Sequence, residues 1–191
     1  VMHSGTKYLD GQGRVMAGAL CASQQLVTEK FLPVLKSAGM TLAPFNAWVM
    51  LKGLETLDIR MRAQSANALA LGQWLEAHPA VARVYCPGLA SHPQHALAKT
   101  QMSGFGGMIS VELGSKERAA RVLERVRVFA LAESLGGVES LICLPALMTH
   151  ASVPADRKAE MGVTEGLIRL SCGVEEVEDL LEDLEQAFEG L

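Results

Sequence analysis

The sequence lacks the features that mark nucleic-acid-binding, membrane-spanning or exported proteins. Its 191 residues include 17 Lys and Arg against 21 Asp and Glu, so the net charge of −4 gives no electrostatic basis for binding nucleic acid or an anionic membrane. No stretch of about 18 apolar residues without charges occurs, and we expect no membrane span. The N-terminal residues have no basic region followed by an apolar core, so they do not resemble a signal peptide.

Cysteine is scarce and widely spaced. The four cysteines form no C-x-x-C pair, which argues against a zinc knuckle or a redox motif: Cys21, Cys86, Cys143 and Cys172. We expect them to be buried free thiols in a reducing cytoplasm. Cys143 and Cys172 lie within apolar, strand-like runs, where a small core residue explains them better than a catalytic thiol.

Apolar residues are plentiful, at 49% of the chain against 20% charged residues, as in globular proteins with a sizeable core. In the first part of the chain, residues 14–23 are short and apolar and predict a buried strand. Helical spacing follows in residues 25–38, despite Pro33, and then in residues 45–57 and 59–77. The last of these would be about 30 Å long, a length typical of a helix that links two domains.

From residue 79 onward, strand and helix patterns alternate. Strands are expected within residues 81–85, 107–113, 128–132, 141–144 and 167–171, and helices within residues 92–101, 116–126 and 174–188. This alternation predicts an α/β fold with the helices on one side of a small sheet.

The densest cluster of chemically useful residues lies at the start of the chain. Ser4 and Thr6 precede Lys7 by three residues and one residue, and glycines flank the group. Hydroxyls and exposed backbone amides suit a phosphate, and a lysine can form an imine with an aldehyde cofactor. From these residues alone, a polar turn with Lys7 in solvent remains an equal alternative. A domain rarely begins with its active-site loop, so we expect a first half to lie elsewhere.

The segment Ser4-Gly5-Thr6-Lys7-Tyr8-Leu9-Asp10-Gly11 resembles the attachment signature for pyridoxal 5'-phosphate (PLP) in the cystathionine synthase and lyase family of cysteine and methionine metabolism. Further blocks resemble the same family in the expected order. They lie at residues 53–62, 92–107, 133–141, 148–152 and 168–175. The resemblance therefore spans nearly the whole chain.

This resemblance implies an α/β fold of the PLP-transferase, aspartate-aminotransferase-like type. Residues 1–58 would be the C-terminal part of the large PLP-binding domain, residues 59–78 a connecting helix, and residues 79–191 the small α/β domain. Family members also have an N-terminal half that would be missing here. The family further implies a cytoplasmic homo-oligomer, a tetramer built as a dimer of dimers, that acts on small amino-acid substrates.

The resemblance also implies how the cofactor PLP would be held. Lys7 would be the Schiff-base lysine and would later move the substrate's protons. Ser4 and Thr6 would hold the cofactor phosphate by their hydroxyls. The missing half would supply further groups around the cofactor, so the 191 residues alone are predicted to be inactive and to bind PLP poorly.

Substrate residues are implied in the second part of the chain. Arg169 would bind the substrate α-carboxylate, a task that suits a bidentate guanidinium. Ser134 would help to orient that carboxylate and Lys7, and Glu133 would line the substrate entrance. Without the resemblance, a strand arginine paired with an acidic neighbour would be the favoured interpretation of Arg169.

The histidines invite a metal site or a general base, but simpler roles are expected. His92 and His95 are spaced i, i+3, yet no third ligand of suitable spacing follows, so a surface or capping pair is favoured over a metal site. His150 is expected to be a structural, hydrogen-bonding histidine.

The loop after Lys7 distinguishes subgroups of the family. Lyases and synthases often carry Gly-His-Ser-Asp there, whereas this chain has Gly11-Gln12-Gly13-Arg14, which resembles bacterial O-succinylhomoserine sulfhydrylase. The implied reaction is γ-replacement of succinate by sulfide to give homocysteine. Cystathionine γ-synthase, γ-lyase or β-lyase, and methionine γ-lyase activities remain alternatives, and a non-catalytic assembly module is an alternative of another class.

Overall fold

A computed structural model describes all residues from Val1 to Leu191, and they form two compact units, Val1–Asp58 and Ile59–Leu191. No helix in it is both long enough and apolar enough to cross a membrane.

The first unit contains a two-stranded antiparallel sheet. Strand β1 (Met2–Ser4) pairs with β2 (Gly18–Leu20), and a single π-helical turn, Gly5–Leu9, follows β1 directly. The prediction of a buried strand over residues 14–23 was wrong. The strand covers three residues, pairs with β1 alone, and has Leu20 56% exposed.

The helices of the first unit follow the predicted periodicity. Helix α1 (Gln24–Leu26), a π-helical turn (Val27–Phe31) and α2 (Leu32–Ala38) run on as one helical segment, as expected for residues 25–38. Pro33 lies in the first turn of α2, directly after the wider turn, where its missing N–H is tolerated. Helix α3 (Pro44–Leu54) likewise begins with a proline.

The long helix α4 (Leu57–Ala77) spans the boundary between the units, and all but its first two residues belong to the second unit. The predicted strands and helices are present, with bounds that differ by a few residues. They are β3 (Arg83–Tyr85), α5 (His95–Gln101), β4 (Met108–Glu112), α6 (Lys116–Arg125), β5 (Ala130–Leu131), β6 (Leu141–Cys143), α7 (Ala155–Glu160), β7 (Leu167–Ser171) and α8 (Val177–Phe188). Helix α7 was missed because its six residues have no apolar stripe.

The five strands of the second unit form one sheet in the order β3-β4-β7-β6-β5. Every pair is antiparallel except β5 and β6, which are parallel. Strand β7 lies at the centre, and its Leu170 is paired with Ile109 on one side and Ile142 on the other. Both backbone edges of β7 are thus fixed by neighbouring strands.

The core lies on one face of this sheet. Buried side chains of α4, α6 and α8 join buried residues of the strands in one cluster, which includes Leu71, Val122, Leu184, Ile109 and Leu170. Helices α4, α6 and α8 therefore pack on one side of the sheet. Because successive strand residues point to opposite faces, Arg169 and its cross-strand partners Ser110 and Cys143 lie on the face away from these helices.

Candidate active site

Lys7 lies within the π-helical turn of the first unit, where the backbone kinks. Its φ of −94° and ψ of −123° are not helical, although the residues around it coil as a turn. Backbone hydrogen bonds close the turn from Asp10 N to Gly5 O at 3.0 Å and from Gly11 N to Lys7 O at 2.8 Å. Lys7 is half-buried, which favours a lysine held by its surroundings over one in an open polar turn.

The two predicted phosphate hydroxyls differ in their surroundings. Thr6 Oγ1 accepts the backbone N–H of Ala17 at 3.0 Å and donates to Ala17 O at 3.3 Å, so it ties the turn to the segment before β2. Ser4 is exposed at the end of β1, and its side chain makes no capping hydrogen bond to the turn that follows. One hydroxyl therefore anchors the turn, and the other is accessible to a ligand.

Two glycines allow the backbone around Lys7 to pack closely. A Cβ on the buried Gly5 would lie 2.7 Å from Met50 Sδ and 3.0 Å from the backbone of Ala17. A Cβ on Gly53 of α3 would overlap Leu9 O and lie 2.7 Å from Asp10 O. Helix α3 is thus in direct contact with the Lys7 turn, which holds the backbone of the turn in place.

An ion pair closes the loop that follows Lys7. Arg14 Nη2 lies 2.9 Å from Asp10 Oδ1, and the same guanidinium donates to the backbone oxygen of Val49 in α3 at 3.5 Å. Burial opposes ionisation of Asp10, but the hydrogen bonds from the backbone and guanidinium of Arg14 prevail, so the pKa of Asp10 is lowered. The Asp10–Arg14 pair therefore links the loop both to itself and to α3.

In the second unit, Arg169 is held by peptide carbonyl groups. Its Nη2 donates to Glu133 O at 2.7 Å and to Ser134 O at 3.3 Å. The alternative of a structural pair with an acidic side chain is not favoured, since these two acceptors are neutral. Carbonyl dipoles orient the guanidinium while leaving its positive charge available to an anion.

Glu133 and Ser134 are exposed residues of the loop between β5 and β6. The structure thus brings together three predicted substrate residues, and Arg169 donates to the backbone oxygens of the other two. Cys143 lies beside Arg169 across the sheet. Burial raises the pKa of its thiol, although the guanidinium acts to lower it, which favours the expected role of a neutral core thiol.

The histidines make structural contacts. His95 Nδ1 lies 2.8 Å from Pro87 O, and its ring stacks on Phe105. His92 Nδ1 accepts the backbone N–H of Gln94 at 3.2 Å, which is a turn-capping contact. His150 Nδ1 lies 2.8 Å from Thr149 Oγ1. These contacts agree with the structural interpretation of all three residues.

Comparison with known proteins identifies the family. The sequence model of the Cys/Met metabolism PLP-dependent enzymes matches residues 1–189. The chain belongs to this family.

Relatives within the Cys/Met metabolism family carry out different reactions. The chain is 49% identical to cystathionine gamma-lyase of Bacillus subtilis (strain 168), over 100% of this chain and 50% of that protein. It is 44% identical to O-succinylhomoserine sulfhydrylase of Pseudomonas aeruginosa, over 100% of this chain and 47% of that protein.

A solved structure gives the same picture. Cystathionine gamma synthase from Xanthomonas oryzae pv. oryzae, in complex with aminoacrylate and cysteine, is 46% identical and superposes with a TM-score of 0.95, over 98% of this chain and 49% of that one. The PLP-transferase fold class inferred from the sequence is confirmed. The chain spans about half the length of the relatives it matches.

The family uses PLP, and the first unit fits this cofactor. An aldehyde with a phosphate group needs an amine and hydroxyl or amide donors. Lys7 would supply the amine and Ser4 an exposed hydroxyl. Thr6 would donate its hydroxyl proton to the phosphate instead of to Ala17 O, which lies 3.3 Å away, while Thr6 Oγ1 still accepts the Ala17 N–H.

Sequence reasoning missed the residues that support these side chains. Arg14 was noted as a subgroup difference, but its pairing with the buried Asp10 was not predicted. Ser171 was not singled out either, although its place two residues after Arg169 in a strand puts both side chains on one face. A polar residue in an otherwise apolar strand was the available signal.

Proposed function

We propose that this chain is the C-terminal half of a PLP-dependent enzyme that converts O-succinylhomoserine and sulfide into homocysteine and succinate. The observation that carries the proposal is the Arg169 guanidinium, which peptide carbonyls orient without neutralising it. Such a group suits the α-carboxylate of an amino acid. In the reaction, the Cγ–O bond to succinate breaks and a Cγ–S bond to hydrosulfide forms.

Each predicted residue has a defined task in this proposal. Lys7 Nζ holds the cofactor and moves protons at the substrate Cα and Cβ, while Ser4 and Thr6 donate hydrogen bonds to the cofactor phosphate. Arg169 binds the substrate carboxylate, with Ser134 beside it, and Glu133 lines the substrate entrance. When bound, PLP withdraws electrons from the substrate and so stabilises a carbanion at Cα.

The choice of sulfide as the second substrate is supported by the loop Gly11-Gln12-Gly13-Arg14, because this loop resembles that of bacterial O-succinylhomoserine sulfhydrylase. Its Arg14 makes the ion pair with Asp10 and the contact with α3. Overall identity does not choose between the reactions, since the lyase and the sulfhydrylase relatives are 49% and 44% identical to this chain. Cystathionine γ-synthase, cystathionine γ-lyase or β-lyase, and methionine γ-lyase activities are the alternatives.

Product analysis of the intact enzyme separates these activities. O-succinylhomoserine is supplied with sulfide or with cysteine, and cystathionine and methionine are supplied alone. The proposal is supported if the formation of homocysteine from O-succinylhomoserine and sulfide is the fastest of these reactions. Faster formation of cystathionine from cysteine, or faster breakdown of cystathionine or methionine, would replace it with the corresponding alternative.

The lysine assignment is tested by trapping. Reduction of the PLP-loaded intact enzyme with borohydride, followed by peptide mass spectrometry, should place the pyridoxyl group on Lys7. Lys7→Ala should lose both this label and turnover, whereas the control Lys52→Ala, on the exposed face of α3, should keep both. Full activity of Lys7→Ala would overturn the proposal, whereas a lack of turnover in the unsubstituted intact protein would favour the non-catalytic assembly module.

We propose further that the complete protein assembles as a tetramer, a dimer of dimers, and that the 191 residues alone are inactive and bind PLP poorly. The family resemblance supports the first part, and the length of the relatives, of which this chain matches about half, supports the second part. Dialysis of the isolated chain after incubation with PLP should remove the absorbance band of the bound cofactor. A band that persists after dialysis would contradict the second part of this proposal.

A further inference from the structure

The loop between β5 and β6, residues 132–140, determines where the Arg169 guanidinium lies. The guanidinium donates to two backbone oxygens of this loop, those of Glu133 and Ser134. A backbone oxygen cannot change its position by rotating a side chain. The position of Arg169 therefore depends on what fixes the loop backbone.

Ser171 fixes the loop from the same strand that carries Arg169. Its side chain is 1% exposed, and Ser171 Oγ accepts the backbone N–H of Gly136 at 2.8 Å. Gly136 has a φ of 78°, a left-handed conformation that favours glycine. Strand β7 thus holds the loop at two places, through Arg169 at residues 133 and 134 and through Ser171 at residue 136.

The far end of the loop is held by a carboxylate. Glu175 Oε1 accepts the Ser140 N–H at 2.6 Å, and Glu175 Oε2 accepts the Ser140 hydroxyl at 2.8 Å. Ser140 is fully buried, and its Oγ in turn accepts the backbone N–H of Gly173 at 2.8 Å. These three bonds join the end of the loop to the segment that leaves β7.

Helix α4 supports the same two segments from behind. Gln64 Nε2 donates to Gly137 O at 2.6 Å, and Asn67 Nδ2 donates to Glu175 O at 2.8 Å. A Cβ on Gly173 would overlap Val138 O and lie 2.7 Å from the backbone carbon of Glu139. The loop and the segment after β7 are therefore in backbone contact, and the loop has no room to shift toward it.

We propose that Ser171 and Glu175 are positioning residues, which fix loop 132–140 so that its backbone oxygens hold Arg169 in the orientation that binds a substrate carboxylate. The proposal rests on the carboxylate role proposed for Arg169. Neither Ser171 nor Glu175 needs to touch the substrate. Loss of the hydrogen bonds of Ser171 or of Glu175 lets the loop move and leaves the guanidinium less well oriented. Poor orientation weakens a bidentate contact with a carboxylate more than it weakens a simple charge attraction.

The test uses a pair of ligands that differ in the α-carboxylate alone, L-homoserine and 3-amino-1-propanol. Their dissociation constants for the PLP-loaded intact enzyme are measured from the absorbance change of the cofactor without turnover. Ser171→Ala and Glu175→Gln should weaken L-homoserine binding by about tenfold and leave 3-amino-1-propanol within about twofold. A merely structural role would change both ligands alike.

Matched controls remove similar groups away from the loop. Thr164→Ala removes a hydroxyl that bonds to Glu112 near the other end of the sheet, and Glu176→Gln neutralises the exposed carboxylate next to Glu175. Both should leave the two dissociation constants unchanged. Hydrogen exchange provides a readout without ligand, since the peptide that contains residues 133–137 should exchange faster in Ser171→Ala than in Thr164→Ala.

The outcomes separate this proposal from the proposed function. If Arg169→Ala removes the preference for L-homoserine while Ser171→Ala and Glu175→Gln keep it, the positioning role is overturned and the carboxylate role of Arg169 stands. If Arg169→Ala keeps the preference, the carboxylate role itself fails. Glu175→Gln is nearly isosteric, so it carries the test even if Ser171→Ala folds poorly.

Discussion

Asp10 and Arg14 form a closed pair in the loop that follows Lys7. Asp10 Oδ2 accepts the backbone N–H of Arg14 at 2.7 Å, and Asp10 Oδ1 accepts Arg14 Nε at 2.9 Å. The aspartate side chain is fully buried, and its pKa lies below the ordinary value of 3.8. A carboxyl whose pKa is lowered by folding stabilises the protein above pH 3.8 and loses that contribution as the pH falls through the folded-state pKa.

Asp10→Asn should therefore lower the free energy of unfolding at pH 7 by about 1–2 kcal/mol, because the amide cannot pair with the guanidinium. The difference from the unsubstituted chain should shrink at a pH below 3.8, as the pH falls toward the lowered folded-state pKa of Asp10. Urea unfolding at both pH values measures this. Asp156→Asn, at an exposed position of α7, is the control, and an equal deficit at both pH values would contradict the expectation.

Gly53→Ala should destabilise the chain although alanine is the better helix former. At an open helical site this change would stabilise by about 1 kcal/mol. Here the new Cβ would lie 2.7 Å from Asp10 O, and we expect a loss of about 2–3 kcal/mol. Gly72→Ala in α4, where the nearest atom is Cys86 Sγ at 3.3 Å, should cost less. Thermal unfolding of the two variants compares them, and a higher melting temperature for Gly53→Ala would refute the contact.

Asp183 of α8 should be among the residues most important for stability in the second unit. Its buried carboxylate accepts the backbone N–H groups of Arg127, Val128 and Phe129 at 2.7, 2.9 and 3.0 Å. Asp183→Ala leaves these donors without an acceptor and should cost about 3 kcal/mol in denaturant unfolding. Asp179→Ala, an exposed position on the same helix, should cost less than about 1 kcal/mol. Similar losses in both variants would show that the three bonds contribute little.

Cysteine reactivity should reveal one accessible thiol in the folded chain. Cys21 is exposed, whereas Cys86, Cys143 and Cys172 are buried, and burial raises the pKa of each of these three thiols. The expectation that all four are buried was thus wrong for Cys21, which lies just after the exposed strand β2. Titration with a disulfide reagent should modify one thiol in native buffer and four in denaturant. The Cys21→Ser variant should show no fast reaction, and rapid modification of a second thiol would contradict the burial.

The elements of the second unit could be predicted because their signals are local. Strand Leu167–Ser171 has the predicted bounds, since its apolar run ends at clear boundaries. Helix α6 begins where Ser115 accepts the N–H of Arg118, a cap that the sequence supplies within one turn. The buried strand expected over residues 14–23 failed for the opposite reason, because burial depends on neighbours that a short apolar run does not specify.

The sequence by itself determined the order of most helices and strands, the family and its cofactor, and the candidates Lys7 and Arg169, because periodicity and motifs are carried by nearby residues. The tertiary structure alone decided which groups support them. Gly136 and Ser171 are 35 residues apart, as are Ser140 and Glu175. Such pairs are brought together by strand order and register, which place distant residues side by side without leaving a pattern in the spacing of the chain.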